Sequence, residues 1–140
     1  MTPFMRALTR RGCIVASPNT PISEVIMLMA ENNVGAIVIT NKDASVEGIV
    51  SERDIVREIS IIDNLSAFTA EGLMTKEVFS VSPQVSSSEL MHIMTNKKIR
   101  HLPIISNGKL LGIVSIGDVV KRILEKYENE AEQMRAFINS

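Results

Sequence analysis

Short, continuously apolar runs alternate along this chain with stretches whose apolar residues fall at helical spacing. Ala36-Ile37-Val38-Ile39 and His101-Leu102-Pro103-Ile104-Ile105 read as strands buried on both faces, because apolar residues are continuous rather than alternating with polar ones. Ahead of the first run, Val25, Ile26, Leu28 and Met29 make a helical face, and Thr20 before Pro21 predicts the helix start. Ahead of the second, Ser86-Ser87-Ser88-Glu89 has the Ser-x-x-Glu spacing of a capping box. Turns follow each run at Asn41-Lys42-Asp43 and Ser106-Asn107-Gly108, and Asn-Gly predicts a tight hairpin because it tolerates positive φ. Gly48-Ile49-Val50 and Gly112-Ile113-Val114 close the two hairpins, and a helix begins straight after each.

These parallels are two copies of one unit. Ser17-Pro18, Ser23-Glu24, Met29 and Ile39 recur 65 residues later as Ser82-Pro83, Ser88-Glu89, Met94 and Ile104. After a one-residue deletion, Gly48-Ile49-Val50-Ser51, Asp54 and Val56 recur as Gly112-Ile113-Val114-Ser115, Asp118 and Val120. Each copy reads strand, helix, strand, strand, helix, which places the chain in the α/β (α+β) class as two βαββα repeats. The boundaries are then 1–12 for an N-terminal arm, 13–60 for the first repeat, 61–73 for a linker, 74–124 for the second repeat and 125–140 for a C-terminal helical extension. A unit of about 60 residues buries only about 60% of its unfolded surface. The copies are therefore expected to pack through their sheets, related by pseudo-two-fold symmetry, around one shared core.

Composition narrows the function. Within 140 residues, 15 Lys+Arg against 16 Asp+Glu leave a net charge of -1, which argues against a nucleic-acid surface. Cys13 is the only cysteine, so an intrachain disulfide and a cysteine-based zinc site are excluded, and a reducing, cytoplasmic setting follows. The apolar runs fall far short of the roughly 18–20 residues of a membrane span. No signal-peptide pattern opens the chain. These features predict a soluble, intracellular and complete protein with no membrane partner.

The polar chemistry concentrates in Ser51-Glu52-Arg53-Asp54 and its counterpart Ser115-Ile116-Gly117-Asp118. Each places a hydroxyl and a carboxylate in the first turn of a helix leaving a strand. One reading is a capping box worth about 1 kcal/mol. The other is an anion-accepting pocket, in which free N–H groups and the helix dipole face a phosphate while the carboxylate accepts from ribose hydroxyls. The two readings can coexist.

The doubled Gly-Ile-Val-Ser-x-x-Asp motif, with Ile99-Arg100-His101-Leu102-Pro103-Ile104, resembles a tandem pair of CBS domains, the Bateman module, over about Thr9 to Leu124. That resemblance implies adenosine compounds bound in clefts between the copies. The motif Asp would hold the ribose, the neighbouring Ser would lie near ribose and phosphate, and strand residues would sandwich the adenine. It pairs Asp54 with Ser51 in one site and Asp118 with Ser115 in the other, and adds Arg53 and Pro103 to the ligand-binding set. It also implies that Arg100 and His101 face the Asp54 cleft, while their counterparts Gly35 and Ala36 face the Asp118 cleft. A guanidinium fork and an imidazole suit phosphate. The Asp54 site would thus prefer AMP, ADP, ATP or a dinucleotide such as NAD(H), and the Asp118 site a less charged ligand. The competing reading makes Arg100 a solvated strand-edge charge and His101 a satisfied, partly buried side chain.

Other residues read more plainly. Arg10-Arg11 and Thr75-Lys76 precede the first strands and are expected on a solvated face, with a phosphate contact as the alternative. His92 lacks the companion ligands of a metal site. Met27, Met29, Met91 and Met94 read as adaptable core packing. Val120, Leu124, Tyr127, Ala131, Met134 and Ile138 step by alternating four and three, a heptad seam. That seam predicts a homodimer in preference to a helix folded back on its own module.

The reading that follows is a non-catalytic regulatory module that senses adenine nucleotides and acts in trans on a regulated protein whose identity is unknown. A nucleotide hydrolase using Asp54 and His101 competes with it, against the lack of a Walker-type loop or a second acid cluster for magnesium. A structural dimerisation adaptor with empty clefts is the third reading.

Overall fold

A computed structural model describes residues 1–61 and 64–139. In chain order the elements are α1 (Pro3–Arg11), β1 (Val15–Ala16), α2 (Ile22–Asn32), β2 (Ala36–Thr40), β3 (Val46–Ser51) and α3 (Glu52–Ile59). A 3-10 turn (Leu65–Ala67) then leads to α4 (Ala70–Leu73), α5 (Ser87–Lys97), β4 (His101–Ser106), β5 (Lys109–Ser115) and α6 (Ile116–Asn139). Of the expected linker, Ile62 and Asp63 lie outside the described residues.

In the first copy β1 runs parallel to β2, which pairs antiparallel with β3. Ala36 through Ile39 are all buried, as a continuous apolar run demands. In the second copy β4 and β5 form the hairpin, joined by Asn107 at φ 53° and Gly108 at φ 76°. The strand expected before α5 shrinks to a single parallel bridge, Val81 with Ile104. Pro103 is the reason: it takes the place of Val38, which pairs with Val15, and without an N–H it cannot extend the ladder.

The first helix starts later than Thr20-Pro21 suggests. Pro21 is the N-cap of α2, and the Thr20 hydroxyl instead accepts from the Ser17 N–H at 3.1 Å. At α5 half of the expected box is present: Ser86 Oγ accepts from the Glu89 N–H at 3.1 Å.

The buried apolar residues form two clusters, not the one shared core expected from unit size. One holds Ile22, Val25, Met29, Ile37, Ile39, Val50 and Ile55, closed by Ala70 and Leu73 of α4. The other holds Leu90, Met94, Leu102, Ile104, Val114 and Val119, closed by Met5 and Leu8 of α1. Each copy is thus completed by the helix that precedes the other copy. Full burial of such side chains is worth about 1.5–3 kcal/mol each, so the exchange stabilises both halves and ties them together. The crossing is fastened by backbone bonds: Ala70 N–H to Thr20 O at 2.8 Å, and Thr75 to Ile49 in both directions. Residue spacing does not reveal this exchange, which makes 1–12 and 61–73 more than an arm and a linker.

The motif glycines admit the crossing segments. A Cβ on Gly48 would lie 2.9 Å from Thr75 O, and one on Gly112 would lie 3.0 Å from Leu8 O. Helix α6 continues unbroken for 24 residues, so its extension is one piece with the helix that starts at the second motif. From Leu124 to Asn139 every residue of α6 is exposed, so the helix does not fold back on its own module.

Candidate functional site

Both motifs fold as reciprocal caps. Ser51 Oγ accepts from the Asp54 N–H, while Asp54 Oδ2 accepts from the Ser51 N–H at 2.9 Å and from its hydroxyl at 3.0 Å. At α6 the Asp118 N–H donates to Ser115 Oγ at 3.1 Å, and Asp118 Oδ2 accepts from the Ser115 N–H at 2.9 Å. Capping leaves part of each carboxylate facing outward, since a carboxylate has about four acceptor positions.

What meets that outward edge differs between the copies, and the exchanged segments supply it. Thr75, following α4, donates its hydroxyl to Asp54 Oδ1 at 3.3 Å. Arg11, ending α1, grips Asp118 with two bonds of 3.0 and 2.9 Å, and its Nη2 also donates to Ile113 O. The solvated-face reading of Arg11 is therefore corrected: it is a fork on a carboxylate 107 positions away. Burial alone would push the Asp118 carboxyl up, but the Arg11 bonds, the Ser115 N–H and the Arg11 charge outweigh it and hold the group below its ordinary value.

Two cavities open beside these carboxylates. The first, of about 450 Å³, is lined by Ser51, Arg53, Asp54, Thr75, Arg100 and His101, with Ile49, Val56, Val78, Phe79 and Ile99 as its apolar part. Its volume lies within the usual range of about 300–1,000 Å³ for small-molecule sites. Arg57 and Lys98 complete its cations, and Glu52 and Glu77 its acids. The second, of about 550 Å³, is lined by Gly35, Ala36, Cys13, Ser115 and His101, and its charged residues are Arg11 and Asp118. Among the described residues the one ion pair is Arg11–Asp118, so the first cavity's four cations are not committed to carboxylates.

His101 lines both cavities. It packs against Gly35, where a Cβ would come 3.2 Å from its Nε2. Burial holds its imidazole below the ordinary value, only partly offset by Glu52 and Asp118, with Arg100 pushing the same way as burial. Burial likewise pushes the Cys13 thiol up, against a smaller effect of Arg11, so it is protonated at neutral pH. Pro103 is buried in β4 and lines neither cavity; its carbonyl accepts from Val81. Among the described residues no group of three or more His, Cys, Asp or Glu is placed to hold a metal.

Residue spacing overlooked Arg57, Phe79 and Lys98, and read Thr75 as a solvated-face residue where it lines the first cavity and bonds Asp54. Lys98 was legible through the repeat, since it is the counterpart of Asn33, and both end a helix in the left-handed region, at φ 55° and 52°. Asn tolerates that conformation, whereas a lysine there costs about 1–2 kcal/mol. A strained cation lining the cavity gives a sharp expectation. Lys98→Gly should raise the melting temperature while weakening ATP binding more than AMP binding. A parallel loss for both nucleotides, read by calorimetry, would remove Lys98 from phosphate recognition.

Two swapped α/β repeats, each with a capped carboxylate at a strand-to-helix junction beside a cleft, define a paired-repeat module. The CBS domain family model matches residues 5–61 and 70–125, and the chain belongs to that family as a tandem pair. It is 33% identical over 122 residues to the mitochondrial CBS domain-containing protein CBSX3 of Arabidopsis thaliana, covering 84% of this chain and 59% of that protein. The chain thus spans less than two thirds of that relative. A solved CBS-domain protein from Burkholderia ambifaria, described as a putative signal-transduction protein, is 36% identical with a TM-score of 0.80, over 87% of this chain and 91% of the other. CBSX2 in complex with AMP shares the fold at 23% identity and a TM-score of 0.72, over 84% of this chain and 92% of that one. No helix among the described residues is long and apolar enough to cross a membrane.

Proposed function

We propose that the chain is a regulatory module that binds an adenosine nucleotide in the Asp54 cavity and passes the ligand state to a partner protein in trans. The observation that carries this reading is the inequality of the two clefts. Asp54 keeps an acceptor position in a cavity also lined by Arg53, Arg57, Lys98 and Arg100, whereas Asp118 is already held by Arg11. A ribose hydroxyl and one or more phosphates are the complementary groups. AMP, ADP, ATP and NAD(H) carry both, and the AMP complex of a protein with the same fold supports the choice. The Asp118 cleft, with its carboxylate engaged, is the weaker site. Asp54 already accepts three hydrogen bonds, which suits it to hold a hydroxyl rather than to remove a proton, and this favours binding over hydrolysis. Regulation then requires only that nucleotide bind one arrangement of the halves better than another; a coupling of about 1–3 kcal/mol suffices. A lone thiol suits the cytoplasm as its setting.

Calorimetry and thermal melting with millimolar AMP, ADP, ATP and NADH, each alone, test the proposal. A ligand at about 100 times its Kd stabilises by about 2.7 kcal/mol. Absence of both heat and melting shift across that panel would leave the adaptor reading in its place. Sustained phosphate release from ATP, abolished by Asp54→Asn, would instead establish a hydrolase.

The same titrations carry a proton signature. Because His101 titrates below its ordinary value of 6.5 in the folded chain, the unfolded chain binds the proton first as pH falls. The associated stability is present above 6.5 and is lost as pH falls through the folded value. A bound phosphate reverses the bias by favouring imidazolium. Nucleotide binding at about pH 6 should therefore take up protons, seen as a dependence of the heat on buffer ionisation enthalpy, and His101→Asn should abolish it.

A further inference from the structure

The two motif carboxylates carry the same cap but meet different neighbours. Asp54 Oδ1 accepts from the Thr75 hydroxyl at 3.3 Å, and a hydroxyl can turn from donor to acceptor when a ligand arrives. At Asp118 both oxygens are engaged: Oδ1 accepts from Arg11 Nη1 at 3.0 Å, and Oδ2 from Arg11 Nη2 and the Ser115 N–H, each at 2.9 Å. The repeat makes this a property of one residue, because Lys76, the counterpart of Arg11, lines neither cavity. Arg11 can also let go without carrying α1 with it. That helix is anchored by Met5 and Leu8, buried in the second core, whereas the Arg11 side chain is 50% exposed. Gly12 follows it at φ 68°, in open space where an added Cβ would meet nothing within 4 Å. An ion pair so exposed is weak and is screened by salt.

We infer that Arg11 is a built-in lock on the Asp118 cleft: its guanidinium occupies the carboxylate that a ribose needs, and the cleft takes an uncharged nucleoside when the fork swings out. The inference rests on the pairing of a motif carboxylate with ribose hydroxyls proposed above. Charge sets the ligand class. Arg11 and Asp118 are the charged residues of this cleft, so with Arg11 turned into solvent the carboxylate repels a phosphate yet still accepts from neutral hydroxyls. One arginine thus decides whether the chain holds one ligand or two of different charge.

Adenosine is the probe, titrated calorimetrically into the full chain carrying Asp54→Ala, in which the Asp118 cleft is the intact site. Raising KCl from about 0.1 M to about 1 M shortens the Debye length from about 10 Å to about 3 Å, which weakens the Arg11 pair and leaves an uncharged ligand unscreened. Adenosine affinity should therefore rise with salt, by about two- to fivefold. Adding Arg11→Gln should tighten adenosine binding about five- to tenfold at low salt and abolish the salt dependence. Adding Asp118→Asn as well should remove that gain. An affinity that ignores salt while Arg11 is present would overturn the lock, as would the absence of adenosine binding at any salt. The salt arm keeps the native arginine, so it decides the matter even where Arg11→Gln loosens α1. A gain that survives Asp118→Asn would overturn the ribose pairing itself. Failure of the wild-type chain to bind AMP or ATP would count against the Asp54 cavity alone and leave the adenosine result standing.

Discussion

Asp54→Ala is expected to weaken adenine-nucleotide binding by about 10- to 100-fold, because a hydrogen bond to a charged group contributes about 1.5–3 kcal/mol. The same substitution removes a cap, so stability falls by about 1 kcal/mol. The two losses are separable, since one is read by calorimetry and the other by melting without ligand. Asp118→Ala should show the opposite balance. It removes the matching cap and also releases the Arg11 fork that ties α1 to the second copy, so its melting temperature should fall further. Its effect on the tighter nucleotide site should stay within about twofold, because the Asp54 cavity does not include Asp118. If Asp54→Ala lowers the melting temperature and leaves affinity untouched, the carboxylate is a cap and nothing more.

The parts of this site that could be read along the chain are those made by neighbours. The Ser-x-x-Asp caps close over three residues, the Asn107-Gly108 hairpin over two, and a fully buried β2 shows as an unbroken apolar run. The parts that escaped are made by the exchanged segments. Thr75 reaches Asp54 across 21 positions and Arg11 reaches Asp118 across 107, and a hydrophobic pattern says only that a face is buried, never by which helix. That is also why one core was expected where two exist: α1 and α4 are short and near the repeat boundaries, and each serves the half it does not belong to. The difference between the clefts was legible at Arg100, which lines only the first cavity, but not at His101, which was expected in the Asp54 cleft alone and lines both. Arg100 is only half the difference, because the neutralisation of Asp118 comes from the residues before the first repeat.

Gly48→Ala is expected to produce the largest loss of stability from a single added methyl. The new Cβ would lie 2.6 and 2.8 Å from Met74 Sδ and Cγ, and 2.9 Å from Thr75 O. The methionine can swing aside, but the carbonyl belongs to the backbone bridge that joins Thr75 to Ile49. Overpacking of this kind costs about 1–3 kcal/mol, which for a chain of this size lowers the melting temperature by about 4–12 °C. Gly108→Ala is the control, because a Cβ there meets nothing within 4 Å and only the φ of 76° is strained. Met74→Ala in the Gly48→Ala background should recover part of the loss and leave the share due to Thr75. Nucleotide affinity should fall alongside stability even though Gly48 does not line the cavity, since pushing Thr75 away from β3 also removes its hydroxyl from Asp54. A Gly48→Ala protein that melts with the wild type, or that melts early yet binds nucleotide normally, would show that the motif glycine, the exchanged segment and the site are not coupled.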